Sequence, residues 1–71
     1  MNEFNQMVQN LAETYGKNPD EFINVLENLF KILPDKKGGL FLDTGIVLFN
    51  FSYFRLALVV WNKALEYYID I

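Results

Sequence analysis

The sequence predicts an all-α fold, with four short helices arranged as two antiparallel helical hairpins. Three observations carry this. Apolar residues recur at helical spacing through Phe4–Tyr15 and again through Phe22–Leu33. Helix-stopping and helix-starting residues stand between those runs at Gly16 to Pro19, and once more at Pro34. No segment sustains the polar/apolar alternation of a half-buried strand.

In the first helix Phe4, Met7, Val8, Leu11 and Tyr15 share a face, and Gly16 ends it, with Lys17 just beyond. The second start is marked by Asn18 as cap, Pro19 at the first helical position, then Asp20 and Glu21. Phe22, Ile23, Leu26, Leu29, Phe30 and Leu33 line its inner face until Pro34 stops it. Asp35-Lys36-Lys37-Gly38-Gly39 reads as a solvated loop joining residues 1–34 to residues 38–71. Its paired glycines lack the lysine-plus-hydroxyl signature of a phosphate cradle.

From Leu40 to Trp61 the only charges are Asp43 and Arg55. About 20 apolar residues can span a bilayer, but each charge at mid-membrane costs roughly 2.5–3.5 kcal/mol. The polar cluster Asn50 to Tyr53 also interrupts the stretch at its centre. Two helices fit better than one membrane span, about Leu40–Phe51 and Tyr53–Asp70, with Ser52 as the cap of the second.

The 71 residues make one small helical domain, and composition excludes much of what it could do. Cysteine and histidine are both absent, which removes the common metal, haem and disulfide chemistry and most nucleophilic catalysis. A net charge of −3 and a pI near 4.6 oppose a phosphate-tracking nucleic-acid binder. Eight of the twelve aromatic residues follow Gly39, yet the arginine and lysine interleaving of a base-stacking platform is missing. Carboxylates offer no acid/base pair, because Asp20, Glu21 and Asp43 read as first-turn residues that stabilise helix dipoles. No catalytic residue, cofactor or metal is expected. The N-terminal residues carry no basic end followed by an apolar run, so a cytoplasmic location is expected.

Within the second half the spacing is more specific. Gly45 is followed by Leu48, Ala57, Trp61 and Ala64, while Phe41 precedes the glycine by four residues and Phe54 precedes Ala57 by three. A glycine within a helix costs about 1 kcal/mol relative to alanine, so it implies a close neighbour. Residues 38–71 in this respect resemble a tetratricopeptide repeat, in which small residues admit two antiparallel helices closely and aromatics fill the gaps. Gly45, Ala57, Trp61 and Ala64 would form the helix crossing, with Phe41, Leu48 and Phe54 as further fillers. Thr44 and Ile69 depart from the pattern, and residues 1–34 match it only as a degenerate repeat or an unrelated capping hairpin. The resemblance implies a groove on the first repeat helix, lined here by Leu42, Ile46 and Phe49. That lining suits an amphipathic helix, unless an N-terminal helix of the same or another copy fills it.

In Tyr53–Asp70 the polar residues Arg55, Asn62, Glu66 and Asp70 occupy one narrow stripe, with Lys63 beside it. Leu58, Leu65 and Tyr68 form an apolar row where a repeat protein would stack its next unit. The expected function is a non-enzymatic protein–protein interaction module that associates with itself, as a homodimer or higher, through this last helix. The alternative is a small chaperone or host-factor inhibitor that binds an apolar or amphipathic helix of a specific partner. Nucleic acid and membrane are not expected partners.

Overall fold

The computed structural model describes residues 2–68, and these contain four α-helices and no strand. The helices are α1 (Glu3–Tyr15), α2 (Pro19–Phe30), α3 (Lys37–Asn50) and α4 (Phe54–Tyr68), with a 3-10 turn at Pro34–Lys36. The expected end of the fourth helix at Asp70 and the repeat departure at Ile69 lie outside the described residues.

Local chemistry explains each helix start. The Asn2 side chain accepts from Phe4 N at 2.8 Å, and the Asn18 side chain accepts from Glu21 N at 3.2 Å. Pro19 stands in the first turn of α2 with Asp20 and Glu21. The buried residues then follow the helical period, with Val8 and Ala12 on α1 and Phe22, Leu26 and Phe30 on α2.

The joint between the halves differs from the loop expected there. α2 ends at Phe30, four residues before Pro34, and Leu33 and Leu29 are 45% and 42% exposed rather than on the core face. Pro34 opens a 3-10 turn, and α3 begins at Lys37, so Gly38 and Gly39 lie in its first turn. Gly38 is buried against the Tyr68 ring, where a Cβ would stand 2.9 Å from Cε2. The early start also places Asp43 in the middle of α3, away from the dipole's positive end.

The turn between α3 and α4 closes α3 in a Schellman motif. Tyr53 N donates to Leu48 O at 2.8 Å, and Ser52 N donates to Phe49 O at 3.0 Å. This geometry puts Ser52 at φ 71°, in the left-handed region where glycine is usual. Ser52 therefore ends α3 and is not the extended cap expected for α4. Tyr53 precedes α4 instead, and its carbonyl accepts from Ala57 N at 2.9 Å.

The core gathers Phe41, Val47 and Leu48 from α3 with Leu56, Ala57, Val60 and Ala64 from α4, closed by the buried faces of α1 and α2. The α3–α4 pair makes by far the most extensive contact, and α1 rests more on α3 than on α2. Phe41 is fully buried, with Phe30 edge-on at 5.2 Å and Tyr67 stacked at 5.9 Å. Thr44 is also fully buried, and its hydroxyl donates to Leu40 O at 2.7 Å. That bond satisfies the one buried polar side chain among the described residues.

Candidate interaction face

Two glycines on α3 make room for two aromatic side chains on α4. A Cβ at Gly45 would lie 2.6 Å from Trp61 Cε2 and closer still to Nε1 and Cδ1. The indole therefore occupies the space that alanine would fill, and its N–H donates to Leu42 O at 3.2 Å. Seven residues earlier Gly38 holds the Tyr68 ring in the same manner. Because Trp61 and Tyr68 are also seven residues apart, the two pairs repeat one heptad along the antiparallel hairpin. Ala57 and Ala64 are fully buried. Gly45 is met by the indole, so the close approach at that point is glycine to aromatic side chain.

Trp61 is only half-buried, and it joins apolar rows on the two helices. On α3, Leu42, Ile46 and Phe49 are 40–51% exposed. On α4, Phe54, Leu58, Leu65 and Tyr68 are 51–60% exposed. Phe49 stacks on Trp61 at 6.0 Å and meets Phe54 edge-on at 5.0 Å, so the rows form one continuous face. Spacing along the sequence suggests two separate surfaces, a groove and a stacking row, because it treats Trp61 and Phe54 as interior fillers. Phe54 is 53% exposed and belongs to the face. The start of α1 comes beside Ile46 through Asn2, Phe4 and Asn5, yet leaves the α3 row open.

A second feature had no counterpart in the sequence reading. Glu27 on α2 is bonded by three groups from the C-terminal hairpin. Lys37 Nζ pairs with Oε2 at 3.1 Å, Tyr67 donates its hydroxyl to Oε1 at 2.8 Å, and Lys63 Nζ stands 3.5 Å from Oε1. Lys37 thus anchors α3 on α2, and is not the solvated loop lysine expected. Burial alone would raise the Glu27 carboxyl, but the hydrogen bonds from Tyr67 and Lys37, with the charges of Lys37 and Lys63, outweigh it. They hold the group below the usual carboxylate range. Burial and the Glu27 hydrogen bond push the Tyr67 hydroxyl up. The Glu66 hydrogen bond raises the Lys63 ammonium against the effect of its burial. A signal existed in the sequence, since Glu27 follows Ile23 by one helical turn at the edge of the apolar face.

Among the described residues no three His, Cys, Asp or Glu side chains stand close enough together to hold a metal ion. No helix among them is long and apolar enough to cross a membrane. A recess of about 610 Å³ lies between the end of α1 and the α3–α4 turn, lined by Ala12, Gly16, Tyr53 and Leu56 with Lys17 and Arg55 at its edge. No protein-family model, curated protein or solved structure matches this chain.

Proposed function

We propose that this chain is a non-enzymatic protein–protein interaction module that associates with itself through the apolar face of its C-terminal helix, in the cytoplasm. One observation carries the reading: Leu42, Ile46 and Phe49 on α3 run into Phe54, Leu58, Trp61 and Leu65 on α4 without an intervening charge. A contiguous apolar patch of several hundred Å² on a small domain marks a binding surface. The tetratricopeptide-like reading of residues 38–71 draws support from the seating of Trp61 on Gly45 and from the rest of α1 on α3. The three-and-four spacing of Leu42, Ile46 and Phe49 favours a second use, capture of a partner's amphipathic helix as a small chaperone or inhibitor would do.

The test compares wild-type chain with Leu58→Lys/Leu65→Lys as immobilised baits of equal helicity. A binding module retains a protein, its own free chain included, that the variant releases. Equal capture by both baits would remove the face from any binding role.

A further inference from the structure

We infer that the occupant of this face is a second copy of the same chain, applied through the same face across a two-fold axis to close a dimer. The inference rests on the reading of self-association through α3 and α4 and adds its geometry: the same face on both chains, closed at two.

The spacing fits another helical layer. Phe54, Leu58, Trp61, Leu65 and Tyr68 alternate by four and three residues, as do Leu42, Ile46 and Phe49. Two adjacent seams with a mean spacing near 3.5 residues interdigitate with helices that present the same spacing. The area fits as well. Seven large side chains, each about half exposed, offer roughly 700 Å² in all, close to the ~800 Å² that each partner buries in a standard stable interface.

The rest of the surface selects the partner within this chain. The outer faces of α1 and α2 expose Glu3, Gln6, Asn10, Glu21, Asn24 and Asn28. Stacking the apolar face head to tail on those helices would bury amides and carboxylates without partners. Leu29, Ile32 and Leu33 form a second exposed apolar cluster at the end of α2. At roughly 300 Å², it covers less than half of the face. The best match to the face is the face itself, which makes the contact isologous and closed. Its seams also carry no charge, so two chains of net charge −3 meet without opposing acids at the centre.

The mass in solution, by sedimentation at increasing concentration, tests this. A closed dimer rises to twice the 8.3 kDa chain mass and stops there. Leu58→Lys and, separately, Ile46→Lys keep wild-type helicity, because both side chains are at least half exposed in one chain. Each raises the dimer dissociation constant roughly 100-fold, since a two-fold interface reads every substitution twice. In a two-fold contact the mixed pair carries the substitution once, so a dye-labelled Leu58→Lys chain binds wild type roughly 10-fold more weakly than wild type binds itself. Undiminished wild-type affinity in that mixture would show that the variant still offers a different docking surface, and would overturn the two-fold contact, as would mass that keeps growing with concentration. A wild-type chain that stays at 8.3 kDa into the high micromolar range would overturn the second copy as occupant. The bait comparison above then decides independently whether the face binds another protein.

Discussion

Tyr67 donates its hydroxyl to Glu27 at 2.8 Å across forty residues of sequence, and so ties the last helix to the second. Lys37 holds the other carboxylate oxygen from α3. One side chain thereby joins three helices.

Removing that hydroxyl in Tyr67→Phe is expected to cost about 1 kcal/mol, the net worth of a typical protein hydrogen bond. Glu27→Gln should act on the pH profile. The Glu27 carboxyl is lowered in the folded chain, so its contribution is present above the unfolded value of about 4.3 and is lost as pH falls through the lowered one. Denaturant melts between pH 6 and pH 3 should show a shallower acid limb for Glu27→Gln. Parallel limbs in wild type and variant would count against the network.

Gly45→Ala sets two effects against each other. Alanine favours a helix by about 1 kcal/mol, but its Cβ would occupy the place of the Trp61 indole. Displacing the indole breaks the bond to Leu42 O and strains the packing, which costs about 1–3 kcal/mol. The melting temperature is therefore expected to fall. Trp61 is the single tryptophan, so its emission should shift to the red in the folded variant. A more stable variant with unchanged emission would contradict the seating described.

Ala57 is a fully buried core residue of α4, within the cluster formed by all four helices. Ala57→Leu forces three further carbon atoms into that cluster and is expected to cost about 1–3 kcal/mol. An unchanged denaturation midpoint would place residue 57 toward solvent.

The serine at φ 71° offers the opposite sign. A non-glycine residue in the left-handed region carries a penalty of about 1–2 kcal/mol, partly offset by the extra freedom that glycine gives the unfolded chain. Ser52→Gly is expected to stabilise the protein by about 0.5–1 kcal/mol, read as a raised denaturation midpoint at unchanged slope. The same substitution would destabilise if Ser52 were the N-cap of α4.

The helices are legible because their causes are local. Asn18, Pro19 and the spacing from Phe22 to Phe30 act within a few turns of one another, and the structure shows each of them in place. Gly38 and Gly39 are misread for the converse reason. Paired glycines ordinarily punctuate a chain, and the aromatic ring that makes Gly38 useful in a helix belongs to Tyr68, thirty residues away. Ser52 is misread because an N-cap and a C-terminal left-handed residue are adjacent roles in so tight a turn. The face is legible in its parts but not in its unity. Periodicity places Leu42, Ile46 and Phe49 on one side of α3, and Leu58 and Leu65 on one side of α4. The contacts of Phe49 with the half-buried Trp61 and with Phe54 show that the two sides are continuous.

The uneven distribution of contact among the helices bears on the order in which they form. Most of the tertiary contact joins α3 to α4, two helices separated by a three-residue turn. Loop closure is cheap at that length, and short-range contacts form fastest. The hairpin is thus the natural nucleus, with α2 docking afterwards on Phe41 and through Glu27, and α1 on α3. Substitutions at Ala57 or Gly45 should slow folding, whereas those at Val8 or Leu26 should chiefly hasten unfolding. In native-state hydrogen exchange the same gradient should appear as opening of α1 and α2 before the amides of α3 and α4 are released.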